Sequence, residues 1–349
     1  MIDNLKATVW RILAGLYFAS GMGRIQHRGG VVILTYHRVV SDHMVRDEHI
    51  QPGMYVRGQS FEAHIAYLRK RFNIISLDEL LDLWRTNRLK SQQSYCVITF
   101  DDGWRDNYQF AFPVLMKYRI PATIFLATDF IGTARWFWPD QLMFLLEKGR
   151  QHTTGSADRK AFSTVLAEMI GVTLSAVDGI FRRVESGDPI DPDAIIEFCK
   201  RVEMDKIQQI IDRLSRALHV DLPTQRVLLN WDEVREMAGK GVTFGSHSGS
   251  HRIMTQISLS EVKMELIDSR NTMLRQGIKP VPVFCYPNGS FDRDIQELVR
   301  GNGYLAAVGC EVGVERDSPS DLFALKRISL HEDSSASVSL LAFALSGFR

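Results

Sequence analysis

Short apolar segments rich in β-branched residues alternate along this chain with segments of helical periodicity. Helices are predicted between the strands, for example at Ser60–Arg71, Tyr108–Tyr118 and Ser258–Gln276. Strands joined through helices usually run parallel in one sheet with both faces covered. The alternation therefore predicts an α/β fold with parallel strands. The predicted strands are Val31–His37, Asn73–Leu77, Tyr95–Phe100, Ala122–Ala127, Val242–Gly245, Val283–Tyr286, Tyr304–Val308 and Phe323–Leu330.

The composition excludes several classes of protein. The 349 residues are 45% apolar and 24% charged, which is typical of a globular chain and not of a disordered one. The formal net charge of +1 does not favour a broad electrostatic contact with nucleic acid, so no nucleic-acid partner is expected. The four cysteines show no CxxC spacing and are expected to be reduced thiols, which suits a cytoplasmic protein.

The N-terminal residues form a moderately apolar segment, Ala7–Ile25, which Arg11 and Arg24 interrupt. This segment is too short to span a bilayer, which needs about 20 apolar residues. We expect residues 1–28 to contain an amphipathic helix that packs on the domain or lies on a membrane surface. The expected location is cytoplasmic, with the membrane surface as an alternative, and secretion is less favoured.

The remaining chain, 29–349, is expected to be one catalytic domain with a helical insertion at about 136–225, a length consistent with a large α/β unit. This insertion has little strand character. Trp136, Phe137 and Trp138 lie close together at its start. They either pack in the core or form an aromatic wall on which a substrate stacks.

Four predicted strands end in residues that can carry chemistry. These ends are His37, the Asp101-Asp102-Gly103 sequence, His247 with His251, and the sequence from Tyr286 to Gly289. In parallel α/β folds, ligands bind beyond the carboxyl ends of the strands, where several loops converge. Four such ends therefore predict one shared site.

The two adjacent carboxylates and the two histidines favour a metal site. Neighbouring carboxylates repel each other unless a cation is present, so Asp101 and Asp102 suggest that one binds a metal while the other faces substrate. A plain Asp-Gly turn is the alternative. The i, i+4 spacing of His247 and His251 would place both imidazoles on one face of a helical turn. With one Asp they form a His-His-carboxylate set that suits Zn²⁺ or another divalent ion.

These motifs resemble those of the polysaccharide deacetylases, the NodB-homology carbohydrate esterases. The resemblance rests on TFDDG at Thr99–Gly103 and HSGSH at His247–His251, and it covers roughly residues 30 to 330. It is supported by TYHRV from Thr35, by FLAT from Phe125, and by the NWDEVREM and YPNG sequences. The resemblance implies a deformed (β/α) barrel of parallel strands with a helical insertion.

The resemblance also implies roles for individual residues. Asp102, His247 and His251 would bind a divalent metal, Zn²⁺ first, with Co²⁺, Ni²⁺ or Mn²⁺ as alternatives. Asp101 would be the general base. A backbone amide near Tyr286 would help to hold the oxyanion. The residues expected to contact substrate are Trp104, Tyr286, Pro287 and Asn288.

The sequence departs from the family pattern in the third motif. Cys285 and Tyr286 stand where the family often has an Arg that holds the base carboxylate. Two histidines are candidates for the general acid. His37 follows the first strand, and His331 follows the last strand in a sequence that partly resembles a late family motif. We expect His37 to be the acid, with His331 as the competing candidate.

The function expected from the motifs is metal-dependent removal of N-acetyl groups from amino sugars, in a polysaccharide or a lipid-linked glycan. The partner would be an N-acetylated glycan. Two alternatives remain at this point. One is a catalytically silent carbohydrate-binding protein on the same fold, although the intact Asp and His motifs speak against it. The other is a related metal amidase that acts on a small non-sugar amide.

Overall fold

The computed structural model describes residues 2–21, 30–47, 50–51, 53–90, 92–152, 192–316 and 318–347. The chain divides into two compact units. The first comprises Met1–Thr133 and Val227–Arg349, and the second comprises Ala134–Arg226. None of the described helices is both long and apolar enough to cross a bilayer.

Parallel strands form a closed ring in the first unit. Within the described residues, seven strands follow one another in the order β1, β10, β9, β8, β7, β6 and β5, and β5 pairs back to β1. The short strand β4 adds to the outer edge of β5, and β2 pairs with β3 in a separate parallel ribbon. The predicted (β/α) barrel of parallel strands is confirmed. The strands are β1 (Val31–Tyr36), β2 (Arg38–Val40), β3 (Tyr55–Arg57), β4 (Asn73–Ile74), β5 (Tyr95–Phe100), β6 (Thr123–Leu126), β7 (Thr243–Ser246), β8 (Val283–Cys285), β9 (Ala306–Val312) and β10 (Leu325–Ser329).

Helices lie between the strands and follow local sequence signals. Capping boxes start the helices at Trp231 and Leu259, since Asn230 and Ser258 each accept a hydrogen bond from the backbone three residues later. The helices are α1 (Ile2–Ser20), α2 (Asp42–Asp47), α3 (Gly58–Leu68), α4 (Leu77–Arg85), α5 (Phe112–Tyr118), α6 (Trp138–His152), α7 (Pro192–Cys199), α8 (Met204–Leu218), α9 (Trp231–Gly239), α10 (Leu259–Arg275), α11 (Arg293–Gly301), α12 (Glu332–Ser335) and α13 (Val338–Ala344).

Alternate residues of the ring strands fill the barrel interior. Val31, Val97, Phe125 and Val308 come from different strands but form one buried cluster, so they face one another across the barrel. Gly245 makes room for this packing, because a Cβ there would lie 2.6 Å from the Phe125 ring. The interior is therefore apolar below the level at which the strands end.

The strand register brings the polar strand ends to one level. β1 and β5 pair so that Tyr36 is opposite Phe100, and the Asp101 amide donates to the Tyr36 carbonyl at 2.9 Å. β7 pairs with β6 and β8 through Ser246, the residue before His247. The residues that follow β1, β5, β7 and β8 therefore leave the barrel at the same end.

The second unit is helical where the structure describes it. Helices α6, α7 and α8 share an apolar core that includes Leu145, Ile196 and Ile211. The aromatic residues at its start have partners inside this unit, as the packing alternative predicts. Trp136 donates to the Gln225 carbonyl at 2.9 Å, Phe137 is buried, and Trp138 packs against the core. The helix predicted at Arg159–Met169 lies outside the described residues.

The N-terminal helix α1 packs on the C-terminal helix α13. Tyr17 is buried, and the centroids of its ring and of the Phe343 ring lie 5.7 Å apart. Other apolar side chains of α1 are exposed. Membrane contact through this helix and the cytoplasmic location stay predictions. The exposed side chains are Val9, Trp10, Ile12, Leu13, Leu16 and Phe18.

Several elements differ from their predicted form. The helix predicted at Tyr108–Tyr118 begins with a π-helical turn at Asn107–Ala111 and becomes α-helical only at Phe112. The ribbon of β2 and β3 was not predicted, because strands of three residues are too short to show periodicity. Most other boundaries move by one to three residues, as expected for the ends of elements.

Candidate active site

The sequence Asp101-Asp102-Gly103 follows β5 at the open end of the barrel. Asp102 has a φ of 75° and Gly103 a φ of 83°, so the chain leaves the strand through two left-handed residues. Such a conformation is costly for a residue other than glycine. Both carboxylates are buried, although the two side chains have different partners. The segment does form a turn at Asp102 and Gly103, but the burial of both carboxylates distinguishes it from a plain exposed Asp-Gly turn.

Asp102, His247 and His251 form a compact group, which we call the metal group. The Asp102 Oδ1 atom lies 3.3 Å from His247 Nε2 and 3.2 Å from His251 Nε2. One candidate ligand atom from each residue lies within 4.8 Å of the other two. One carboxylate oxygen and two imidazole nitrogens make a donor set that fits a divalent cation such as Zn²⁺.

The histidines meet through a loop and not through a helical turn, so the predicted helical geometry is wrong. Residues 247–251 have no helical hydrogen bonds, and Ser248 and His251 have φ values of 66° and 58°. The His251 amide donates to the Ser248 hydroxyl at 3.0 Å, which closes the loop. The conformation of this loop, and not the predicted helical periodicity, brings the two imidazoles together.

Each member of the metal group has a partner that orients it. The His247 Nδ1 atom lies 2.8 Å from the Cys285 carbonyl oxygen, so this nitrogen carries the proton and Nε2 is left for a metal. The Trp104 indole donates to Asp102 Oδ2 at 2.9 Å, which leaves Oδ1 facing the histidines. Burial lowers the pKa of His251, which favours the neutral imidazole that binds metals.

Trp104 was expected to contact substrate, and its geometry corrects this expectation. The indole is only 3% exposed, and the Arg38 guanidinium lies 4.6 Å above its ring. The ring therefore has no open face on which a sugar could stack. Trp104 holds the Asp102 carboxylate instead.

Asp101 is held by Arg327, a residue that the sequence analysis did not identify. Arg327 lies on β10, is 1% exposed, and donates to both Asp101 oxygens at 2.8 and 2.7 Å. Its Nε donates to the Gly309 carbonyl at 2.9 Å. Its Nη1, which donates to Asp101 Oδ1, also lies 3.1 Å from the Thr35 hydroxyl and 3.3 Å from the Thr99 hydroxyl. A buried bidentate pair of this kind fixes the carboxylate in one orientation.

The two carboxylates are ionised for different reasons. Burial raises the pKa of Asp101, but the charge and hydrogen bonds of Arg327 outweigh it and lower that pKa to about 2. Burial also raises the pKa of Asp102, and hydrogen bonds with His247 and His251 outweigh it. Burial lowers the pKa of His247, but Cys285 and the Asp102 carboxylate outweigh it and raise that pKa well above its usual value. Asp101 thus has a permanent cation supplied by Arg327, while Asp102 is grouped with two imidazoles, which bind a metal in their deprotonated form.

A second group of metal-binding residue types overlaps the first. Asp101, His247 and Cys285 also have ligand atoms within 4.8 Å of one another. The Arg327 guanidinium, however, contacts both Asp101 oxygens and lies 3.5 Å from the Cys285 sulfur. A divalent cation there would meet a positive charge at close range, so this second group does not fit a metal.

His37 lies within electrostatic range of both carboxylates. It is partly buried directly after β1, and its imidazole interacts electrostatically with Asp101, Asp102 and His251. The backbone around it is fixed, because the side-chain amide of Asn107 donates through Nδ2 to the His37 carbonyl at 3.1 Å. The π-helical turn that contains Asn107 thus serves to hold the β1 end, in keeping with the frequent occurrence of such turns at functional sites.

His331 also follows a strand of the ring. Leu330 donates to the Thr35 carbonyl at 3.0 Å, so His331 leaves β10 near the level at which His37 leaves β1. The His331 Nδ1 atom lies 3.5 Å from the Asp333 carboxylate, and its carbonyl accepts the Ser335 hydroxyl. Its described partners belong to the helix that it precedes.

The residues predicted from the third motif have separate positions. Tyr286 is fully buried, its hydroxyl donates to the Phe323 carbonyl at 3.1 Å, and its amide donates to the Val308 carbonyl at 3.2 Å. This geometry engages both groups of Tyr286 within the protein, which corrects the expected substrate contact of this residue. The oxyanion role of a backbone amide near Tyr286 stays a prediction. Pro287 is buried and Asn288 is exposed with a φ of 56°. Direct substrate contacts of these two residues stay predictions.

Comparisons with known proteins identify the family of this chain. The family model described as polysaccharide deacetylase matches residues 88–167 and 207–307, which is more than half of the chain. A curated relative is YxkH from Bacillus subtilis (strain 168), which is named as a polysaccharide deacetylase. It is 33% identical over 117 residues, and the match spans 34% of this chain but only 39% of that protein.

Solved structures show the same fold at low identity. The deacetylase PplD from Streptococcus pyogenes is 16% identical, with a TM-score of 0.54 over 88% of this chain and 94% of that chain. IcaB from Ammonifex degensii is 17% identical, with a TM-score of 0.54 over 91% of this chain and 97% of that chain. These likenesses establish the barrel fold, and the family match establishes the family predicted from the motifs.

Proposed function

Because the chain belongs to the polysaccharide deacetylase family, we propose that it is a metal-dependent hydrolase that removes N-acetyl groups from N-acetylated amino sugars. The substrate would be a polysaccharide or a lipid-linked glycan. One observation carries the proposal. Asp101 and Asp102 are adjacent in the chain, yet one is neutralised by Arg327 and the other is grouped with two histidines.

The proposed metal is Zn²⁺, with Co²⁺, Ni²⁺ or Mn²⁺ as alternatives. Asp102, His247 and His251 would hold it, since their ligand atoms already converge. A bound divalent ion in such a site polarises the acetyl carbonyl and lowers the pKa of a water molecule. Cys285 and Trp104 assist only by orienting the ligands, through the hydrogen bonds to His247 and Asp102.

Asp101 is the proposed general base. Arg327 contacts each Asp101 oxygen once, which leaves further lone pairs on both oxygens to accept a proton from water. The pKa of about 2 means that this carboxylate is ionised throughout the neutral range. A positioned base of this kind contributes about 10²- to 10⁴-fold to the rate.

His37 is the proposed general acid. The departing amine must gain a proton before the carbon–nitrogen bond breaks, and an imidazole can deliver it near neutral pH. His37 interacts electrostatically with Asp101 and Asp102, and its carbonyl accepts a hydrogen bond from the Asn107 side chain. His331 remains the competing donor.

Metal analysis combined with an acetate-release assay tests the proposal. Purified protein is stripped with a chelator, reloaded with each metal, and supplied with N-acetylglucosamine oligomers or a small non-sugar acetamide. We expect one ion per chain and metal-dependent acetate release from the oligomers. Release from the acetamide alone would identify an amidase. A metal-loaded protein that binds the oligomers but releases no acetate would identify a silent carbohydrate-binding protein.

A further inference from the structure

The loop between the two histidines of the metal group is held by a carboxylate from a neighbouring helix. Glu265 lies on α10 and is partly buried. Its Oε2 atom accepts the amide protons of Gly249 at 2.7 Å and Ser250 at 2.9 Å. Its Oε1 atom accepts a hydrogen bond from the Ser250 hydroxyl. One side chain thus fixes two consecutive residues between His247 and His251.

This loop has a conformation that needs external support. Ser248 and His251, on either side of the residues that Glu265 holds, both have left-handed backbones with φ values of 66° and 58°. Such a backbone conformation is unfavourable for a non-glycine residue and persists only where its surroundings impose it. The hydrogen bonds that the Glu265 carboxylate accepts are charge-assisted, and such bonds are stronger than those between neutral groups.

The backbone of Gly249 is closely approached by the carboxylates of Glu265 and Asp129. A Cβ atom at this position would lie 3.2 Å from a carboxylate oxygen of Glu265 and 3.2 Å from one of Asp129. The Asp129 amide also donates to the Gly249 carbonyl at 3.0 Å. The absence of a side chain at residue 249 therefore lets both acidic residues approach the loop backbone.

We infer that Glu265 is a positioning residue for His251 and sets the metal affinity of the group through the histidine loop. The inference rests on the proposed metal site. When Glu265 is absent, two amides of the loop lose their acceptor and the left-handed residues lose their support. His251 then moves away from Asp102. In the intact protein, the distance from His251 Nε2 to Asp102 Oδ1 is 3.2 Å.

The inference is tested by metal affinity in Glu265→Ala and Glu265→Gln. Glu233→Gln is the matched control, because Glu233 is a buried helix residue that also accepts a backbone amide, from Asn230, outside the histidine loop. Zn²⁺ dissociation constants of the full-length chain are measured by chelator competition. The visible spectrum of bound Co²⁺ reports ligand number and geometry. Thermal unfolding of each metal-free protein is recorded alongside.

We expect Glu265→Ala to weaken Zn²⁺ binding about 10-fold or more and to change the Co²⁺ spectrum, as is usual for residues that orient metal ligands. Glu265→Gln keeps an acceptor oxygen but loses the charge, so its effect should be smaller. Glu233→Gln should remain within about twofold of the wild type, because it leaves the metal ligands and their supports intact.

Two results would overturn the inference while the proposed function stands. One is a wild-type Zn²⁺ affinity and Co²⁺ spectrum in Glu265→Ala. The other is an equal loss of affinity in Glu233→Gln. If Glu265→Ala fails to fold, Glu265→Gln and Gly249→Ala provide the same comparison, since the added methyl group would displace the Glu265 carboxylate. A wild-type chain that binds neither Zn²⁺ nor Co²⁺ would instead contradict the proposed function itself.

Discussion

The site has two sides, which place two neighbouring carboxylates in different electrostatic surroundings. On the arginine side, Asp101 forms a bidentate ion pair with Arg327, and both side chains are almost fully buried. On the histidine side, Asp102 lies among His247 and His251, whose nitrogens are 3.3 and 3.2 Å from one oxygen. The arginine side carries a permanent positive charge, whereas the histidine side presents imidazoles, which lose their protons when they bind a metal.

This difference shows how two identical side chains acquire different roles. A carboxylate that is paired with a guanidinium is ionised and oriented but repels a second cation, so it can accept a proton without binding the metal. A carboxylate that is grouped with imidazoles offers a ligand set and needs a cation to balance its charge. The predictions below change one side at a time, from the largest expected effect to the smallest.

Removal of the arginine should have the largest effect. Arg327→Met leaves the Asp101 carboxylate buried without its counter-charge, and breaking a buried pair from one side costs about 3–5 kcal/mol. We expect a loss of that size in the free energy of unfolding, measured by chemical denaturation. Acetate release should fall too, because the base is no longer held.

The matched control for this change is Arg105→Met. Arg105 pairs with Glu233 at 3.1 Å, but its side chain is 41% exposed, and such pairs contribute at most about 1 kcal/mol. Adding Asp101→Asn to Arg327→Met should restore part of the lost stability, because the uncompensated charge is gone. Equal costs for the two arginine variants would mean that the arginine side is not a buried charge pair.

His64 is a buried titratable group whose surroundings differ from those of Asp101. His64 lies behind the site, with Nε2 2.7 Å from the Ser335 carbonyl and Nδ1 3.2 Å from the Tyr36 hydroxyl. Burial lowers the pKa of His64 to about 4, although the hydrogen bond to Ser335 opposes this. Unlike Asp101, this residue is kept neutral because no opposite charge accompanies it.

The pH dependence of unfolding follows from this difference. The unfolded chain takes up a proton at His64 as the pH falls through 6.5, while the folded protein does so only near pH 4. Stability should therefore fall over this range, by about 3 kcal/mol from this residue. His64→Gln keeps both hydrogen-bonding functions and should lose this part of the pH dependence. An unchanged slope would contradict the neutral buried imidazole.

The acid is assigned by comparing His37→Ala with His331→Ala. Loss of the true general acid should reduce turnover by about 10²-fold or more. We expect this for His37→Ala in the acetate-release assay, with the metal content unchanged because His37 is not a member of the metal group. If only His331→Ala has this effect, the acid is His331 and the deacetylase proposal survives.

The smallest effect is expected on the histidine side, from Trp104→Phe. This change removes the indole hydrogen bond to Asp102 Oδ2 and keeps most of the buried ring. Zn²⁺ affinity should fall about 10-fold, as for other groups that orient metal ligands. Trp138→Phe in the second unit is the matched control and should leave the affinity unchanged. An unchanged affinity in Trp104→Phe would mean that Asp102 is oriented without the indole.

The barrel could be predicted from the sequence, because its strands are long runs of β-branched and apolar residues. Tyr95–Phe100 is predicted to the residue. The short strands β2 and β3 and the π-helical turn depend on tertiary contacts, such as the Asn107 hydrogen bond to His37, and leave no periodic pattern. The segment that contains the predicted helix Arg159–Met169 is not described, so that prediction is untested.

The site residues could be located from the strand ends, but their partners could not. Arg327 is 226 residues from Asp101 along the chain. Only barrel closure brings them together, because β1 then pairs with β10 on one side and with β5 on the other. A charged residue in an apolar strand was the available signal, since a buried Arg needs a partner. Trp104 was assigned to substrate because sequence shows an aromatic residue near the site but not which way its ring is turned.

The most direct test of the account is the Zn²⁺ dissociation constant of metal-free Asp101→Asn compared with that of Asp102→Asn. The two changes remove the same charge from adjacent residues, so they form a matched pair. We predict that Asp101→Asn binds Zn²⁺ with nearly wild-type affinity and loses most acetate release. Asp102→Asn should lose both, because a metal ligand is gone. Equal Zn²⁺ affinities in the two variants would contradict the division of roles between the arginine side and the histidine side.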